Sequence, residues 1–495
     1  MNFTKRKYYA LFCLLASTAT IAESQKSNVA NEKQSLIEST IISKVTETYG
    51  GKSLTFVKSI SITDHNKMIS SGQGESPEQP GFFRINEVLT IDFENKRKSM
   101  LSWRVSRTST DLEKFIFDGN QGRIYDILNN KYAQENWVTY HSTGDSIIRQ
   151  SDTMIARSLS KNNTKVSYQG EAFYLGSLHQ KLNVKIGVGA EYTIFIDKQL
   201  GLISKMVRQH PSAGEISYAF SNHKKSGGLI FAQDLNFTVG GQTRLVSLER
   251  NVTVNPNLEE AFAVPMGYTN WGPVLNSSEL VVNKLAENVY HIGKERSFTL
   301  FVDAGDYFIA SGGHSGLTEK FEALKKITGV EKPLNYMIST HHHDEHFPSL
   351  KEAVALGAKV ITVKQHLAPI NKSINEEAGK NNIVLIKDKS SLGNGAVEIY
   401  NIATLHADNY LLVYVPAAKL VFAEDHFETQ LKTAMPRVHK DMVVFRKAME
   451  ALPINVERLI DGHSSRQLTI NEFNNATDTY TDFTCPAGFI ICNNG

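Results

Sequence analysis

The stretch Thr340-His341-His342-His343-Asp344-Glu345-His346-Phe347 places four histidines and two carboxylates in six consecutive positions. Just before it, Leu334-Asn335-Tyr336-Met337-Ile338-Ser339 reads as a short buried strand. The histidines then emerge at a strand end, where a loop presents them without disturbing packing. Alternate side chains of an extended chain share a face, so His341 and His343 can grip one ion while His342 points elsewhere. Glu345 and His346, past the turn, face a second ion. A histidine-rich patch can equally be solvated surface, so the remaining ligands decide the reading.

Three further segments supply them. His406 lies in Thr404-Leu405-His406-Ala407-Asp408-Asn409, ahead of the apolar strand Tyr410 to Val415. Asp425 follows Leu420-Val421-Phe422-Ala423-Glu424, and His463 closes Leu459-Ile460-Asp461-Gly462-His463. Together these make seven candidate ligands, enough for two ions sharing one carboxylate. Their order resembles the metallo-β-lactamase superfamily of metallohydrolases, whose motif H-x-H-x-D-H is followed by isolated His, Asp and His at strand ends. H-A-D-N-Y-L-L-V-Y-V-P from His406 and L-V-F-A-E-D from Leu420 look like its H-T-D-G and F-x-G-D blocks. The resemblance covers roughly residues 280–470. It implies an αββα sandwich in which His341, His343 and His406 bind one metal, Glu345, His346 and His463 bind the second, and Asp425 bridges both. One departure bears on this: the family's aspartate at the second metal is Glu345 here, one methylene longer, which puts the filling of that site in question. Asp344 points to the wrong side of such a loop. His342, Glu424 and His426 are read as supporting or surface groups, and His314, in Ser311-Gly312-Gly313-His314-Ser315-Gly316, as a candidate for the cleft wall.

No cysteine lies near the tract, so the donors are nitrogen and oxygen; this suits two zinc ions and tolerates iron or manganese. A bound cation lowers the pKa of its water from about 16 to about 7 and polarises the substrate oxygen. The implied activity is a metal-dependent hydrolase using a metal-bound hydroxide on an ester, lactone, thioester or related bond, with Asp425 and Glu345 as its working carboxylates. Superfamily members that open β-lactams generally lack a bridging aspartate, so Asp425 points away from a dedicated β-lactamase.

The first residues carry Lys5-Arg6-Lys7, then run without charge from Tyr8 to Ala22, ending on small residues. This predicts a signal peptide cleaved after Ala22 and a periplasmic or secreted protein. Cleavage removes three basic and no acidic residues, leaving 50 against 51. The near-neutral balance gives no case for nucleic acid, and no further apolar run is long enough to span a membrane. Cys485 and Cys492 remain, and an oxidising compartment predicts a disulfide that pins the tail. The oligomeric state is not legible.

Between the ends the pattern divides. Glu32 to Tyr49 reads as an amphipathic helix stopped by Gly50-Gly51. From there to about residue 268, alternation such as Leu54, Phe56, Lys58, Ile60, Ile62 predicts an antiparallel β-rich domain, faintly similar to the half-barrel domains that carry lipoproteins or acyl chains across the periplasm. The single histidines here, His65, His141, His179 and His210, read as structural or surface groups. Pro256, Pro265, Gly267, Gly272 and Pro273 mark a linker. A second domain over 277–475 then mixes strands with helices, including Leu317 to Thr328 with Phe321, Leu324 and Ile327 inward. An apolar sheet would suit a small amphiphilic substrate. It also sustains a rival reading, a lipid- or lipoprotein-handling protein whose metal site is vestigial or structural.

Overall fold

The computed structural model describes residues 32–161, 164–185, 190–275, 278–374, 382–429, 431–433 and 437–492. The expected signal peptide lies outside them. Among the described residues no helix is long and apolar enough to cross a membrane.

The first helix, at 32–48, follows from apolar residues at steps of four: Ile41, Val45 and Tyr49 are buried, and Gly50 at φ 128° stops it in a conformation an L side chain resists. Its apolar face meets one face of a fourteen-stranded sheet, where alternation along Ser59–Ser70 sends Ile60 and Ile62 into the same core. That strand pairs with both Gly81–Asp92 and Gln242–Val254, so the first and last long strands lie side by side. A second helix, Asp152–Leu159, packs Met154, Ile155 and Leu159 onto this core, with Ser151 Oγ accepting from the Met154 N–H at its start. The sequence reading did not contain it, because eight residues are too few to establish a helical period against flanking strands. The apolar face that suggested a place for an amphiphile is thus packed by protein.

From Val281 the chain builds two further sheets, of seven and six strands. Between them Val302, Ile338 and Ile361 of one sheet meet Val413, Phe422 and Ile460 of the other. Leu317–Thr328, Phe347–Ala355 and Leu367–Ile374 cover the outer face of the first sheet, and Lys440–Glu450 and Ile470–Thr477 that of the second. This is the αββα layering expected, behind a β-rich domain. Each fully buried Leu, Ile, Val or Phe stabilises such layers by roughly 1.5–3 kcal/mol, which keeps the strand ends fixed. One expectation fails: Phe321 and Leu324 point inward, but Ile327 is 59% exposed. Two successive steps of three turn that position by roughly 120° around the helix, away from the sheet.

Two devices join the parts. Cys485 and Cys492 form a disulfide, and the tail that carries it returns to the N-terminal sheet, where Ile491 and Cys492 pack with Trp103, Leu112 and Ile116. Asn86 Nδ2 donates to the Ile491 carbonyl at 2.9 Å. Arg437 reaches three carboxylates of the β-rich domain, Asp111 at 2.6 Å, Glu113 at 2.9 Å and Asp126 at 2.7 Å. The β-rich domain is therefore held beside the sandwich near the histidine tract.

Candidate metal centre

The sandwich gathers its polar residues at the carboxyl ends of strands, where backbone turns outward and side chains converge. Phe308–Ser311 leads to His314, Leu334–Ile338 to His341, Leu420–Phe422 to Glu424 and Asp425, and Arg458–Ile460 to His463. Phe308–Ser311 and Leu334–Ile338 run parallel, as do Leu420–Phe422 and Arg458–Ile460, so each pair delivers its loops to the same edge. After His343 the chain makes one 3-10 turn, Asp344–His346, and enters Phe347–Ala355 with a proline in its first turn.

Asp425 is the centre. Its Oδ2 lies 3.2 Å from His341 Nε2, 3.2 Å from His406 Nε2 and 3.0 Å from His346 Nε2, while its Oδ1 lies 2.6 Å from His463 Nε2. His341 Nε2 and His406 Nε2 stand 3.0 Å apart. Among the described residues three groups have donor atoms within 4.8 Å of one another: His341, His343, His406 and Asp425; His341, Glu345, His346 and Asp425; and His314, Asp425 and His463. The first is the set expected for one metal. The set expected for the second is divided, since Glu345 and His346 fall in one group and His463 falls with His314 in another. Glu345 Oε1 stays 3.8 Å from His343 Nδ1 and 3.9 Å from His346 Nε2, and its Oε2 accepts from Gln73 Nε2. Asp344 also accepts from Gln73, at 3.0 Å, and His342 stands aside with its ring 5.2 Å from that of His366.

The electrostatics follow from burial and this one carboxylate. Burial opposes charge on Asp425, but His346 and His463 outweigh it and hold the group well below the usual range. Burial likewise opposes the charged His346, which Asp425 and Glu424 nevertheless push up to about 9; against the same burial, Asp425 and then Asp461 push His463 up to about 10. Burial, then the neighbouring His343, keeps His341 well below its ordinary value, and burial takes His314 down to about 3. Neutral imidazoles and an ionised carboxylate are the forms that donate to a cation. His343 Nδ1 and His314 Nε2 are buried with no hydrogen-bond partner among the described residues. Such orphaned acceptors around a carboxylate fit a divalent cation, with nitrogen and oxygen donors only.

Glu424 proves to be wholly buried, 3.4 Å from His346 Nδ1 through Oε1. Its backbone is in the left-handed region at φ 44°, and Gly462 is needed beside it because a Cβ there would lie 2.5 Å from Oε1. It orients His346 from behind, as carboxylates do for ligating imidazoles. His426 is buried too, bonded through Nδ1 to Asp441 at 2.6 Å and stacked on Phe445 with ring centroids 4.2 Å apart.

Sequence reasoning missed the part played by the β-rich domain. His343 Nε2 lies 3.1 Å from the Gly74 carbonyl, and the Asp408 N–H donates to the Glu75 carbonyl at 2.9 Å. Both partners belong to Ser71-Gly72-Gln73-Gly74-Glu75-Ser76-Pro77-Glu78-Gln79-Pro80, and the signal was there: this connection is longer than an ordinary hairpin turn needs. Above the metal centre the two domains enclose a cleft of about 590 Å³, lined by Met68, Phe83 and Arg244 from one and Arg296, His314 and Asp425 from the other. That volume suits a small molecule.

No protein-family model matches the chain, and no curated protein does. Solved structures similar to it include the metallo-beta-lactamase from Hirschia baltica, at 16% identity over 40% of this chain and 96% of that one, with a TM-score of 0.30. The metallo-beta-lactamase FIM-1 from Pseudomonas aeruginosa in its mono-zinc form matches at 17% identity over 41% of this chain and 95% of that one, TM-score 0.31. A mutant flavo di-iron protein from Thermotoga maritima matches at 13% identity over 40% of this chain and 60% of that one, TM-score 0.32. The matches fall in the C-terminal part of the chain.

Proposed function

We propose that this protein is an exported metal-dependent hydrolase acting on an ester, lactone, thioester or related bond of a small anionic molecule with an apolar part. The observation that carries the reading is Asp425, whose Oδ2 faces His341, His346 and His406 and whose Oδ1 faces His463, at the floor of a cleft between two domains. His341, His343 and His406 would hold one ion, and His346 and His463 belong to the second, with zinc the cation best suited to these donors. When bound, the ions supply a nucleophilic hydroxide at neutral pH and polarise the substrate oxygen. The protein's own share is positional. Asp425 keeps the two imidazole sets together, Glu424 fixes His346, and Gln73 holds Asp344 and Glu345 against the β-rich domain. The lipid-handling alternative has less support, because the sheet face it needs is packed by the helices at 32–48 and Asp152–Leu159.

With the full chain, a panel of esters, lactones, thioesters, phosphodiesters and β-lactams assayed beside metal content tests the proposal. At least one of the first three classes is expected to turn over, and His341→Ala is expected to lose both that activity and bound metal. A chain that binds no metal, or activity unchanged in His341→Ala, would remove the reading.

Charge in the cleft narrows the substrate. Arg296 pairs with Glu428, Asp344 and Glu345 accept from Gln73, and Asp425 meets imidazoles. Among the described charged residues of the lining, Arg244 has no such partner, and a guanidinium suits a carboxylate or similar anion. A hydrogen bond to a charged group is worth about 1.5–3 kcal/mol, so Arg244→Ala is expected to raise KM about 10- to 100-fold for anionic substrates. Uncharged analogues of the same length should show little change, and equal losses for both would refute this assignment.

A further inference from the structure

The seven residues read from the sequence leave the second metal position divided: Glu345 is drawn toward the β-rich domain, and His463 faces an imidazole outside the expected set. We propose that His314 takes the place of Glu345 as a ligand of the second ion, beside His463 and the Oδ1 side of Asp425. The inference rests on the metal-hydrolase reading above and deepens it.

Three independent features carry it. The donor atoms of His314, Asp425 and His463 lie within 4.8 Å of one another, a spacing that one ion can bridge. The His314 ring stands edge-on to both His463 and His346, with centroids 4.7 and 4.9 Å away. Its Nε2 is buried and meets no hydrogen-bond partner among the described residues, although the residue lines the cleft. A buried unsatisfied nitrogen is costly, and one held among two other imidazoles and a carboxylate is relieved by a cation.

The backbone supports the same placement. The His314 and Ser315 N–H groups both donate to Ser297 Oγ, at 2.9 and 3.2 Å, which fixes the loop after the strand Phe308–Ser311. Gly313 sits at φ 91°, and a Cβ there would lie 2.3 Å from Thr299 Oγ1. His314 is therefore delivered by a rigid turn.

Glu345 differs in having a partner outside the sandwich. Its Oε1 stands 3.8 Å from His343 Nδ1 and 3.9 Å from His346 Nε2, a spacing one ion can also bridge, but Gln73 of the β-rich domain takes its other oxygen. The extra methylene relative to aspartate lets the carboxyl group reach across to the β-rich domain. Its position in the tract and its spacing match a ligand, while Gln73 competes for the same carboxylate.

The test is metal binding by the full-length protein, measured as equivalents of zinc by mass spectrometry and as the visible spectrum of the cobalt-loaded form. His314→Ala is expected to weaken one equivalent at least ~100-fold and to change the cobalt bands, since even loss of a supporting group costs about 10- to 100-fold. His314→Asn, with a thermal unfolding midpoint matched to wild type, separates ligand loss from misfolding. Glu345→Gln is expected to keep both equivalents. The proposal falls if His314→Ala and His314→Asn retain wild-type stoichiometry, affinity and spectrum, or if Glu345→Gln rather than either of them loses an equivalent. A wild-type chain that binds no metal would overturn the hydrolase reading as well, whereas two ions unaffected by His314 variants would overturn this inference alone.

Discussion

Asp425→Asn is expected to lower kcat/KM by at least ~10³-fold, about 4 kcal/mol of transition-state stabilisation, while leaving the fold intact. The substitution keeps the size and shape of the side chain and removes its charge. Four imidazole nitrogens lie within 3.2 Å of that carboxylate, two of them on groups that it pushes up to about 9 and about 10. An amide oxygen cannot compensate them, and an amide NH2 in place of the second oxygen opposes one imidazole set outright. Both metal positions are therefore affected by one substitution, so bound metal should fall with activity. Steady-state kinetics on the best substrate from the panel, read beside metal content and circular dichroism, checks the prediction. Full metal content with a small kinetic loss would show that Asp425 does not join the two sets.

Much of this centre was legible because its parts are local. A strand of five apolar or neutral residues followed by a histidine tract marks a strand end, and the same logic located His406, Asp425 and His463. The strands Lys359–Val363, Tyr410–Val415 and Leu420–Phe422 fall where their apolar runs predict, since a run buried on both faces carries its own signature. What escaped the sequence depends on contacts between distant segments. His314 was legible only as a candidate for the cleft wall, which it lines; the parallel pairing of Phe308–Ser311 with Leu334–Ile338 is what brings it beside Asp425 and His463. Gln73 reaches Glu345 from another domain, and nothing in either stretch names the other. Glu345 keeps the place among His341, His346 and Asp425 that its position in the tract gives it, and what no motif shows is that Gln73 takes one of its oxygens.

The largest effect on stability is expected at Arg250, deep in the β-rich domain. Arg250 and Asp64 face each other across paired strands, wholly buried, with Nε and Nη2 donating to the two carboxylate oxygens at 2.5 and 2.7 Å. The remaining Nη1 donates to the Gln150 carbonyl at 2.5 Å. Arg250→Met should destabilise the protein by roughly 3–5 kcal/mol, because it leaves a buried carboxylate without a countercharge. In a domain of this size that is on the order of 10 °C in the unfolding midpoint. Burial and then Asp64 already push the nearby Glu87 up to about 7, so no carboxylate there has spare compensation. Adding Asp64→Leu to Arg250→Met should restore most of the loss, since a well-packed apolar pair often equals a buried ion pair. Thermal unfolding of the single and double variants decides this, and a double variant no better than the single would refute it. In the β-rich domain a buried charge is matched by one guanidinium within the protein and can be exchanged for apolar packing. At the metal centre Asp425 is grouped with six histidines, and the orphaned imidazole nitrogens around it are matched by nothing among the described residues.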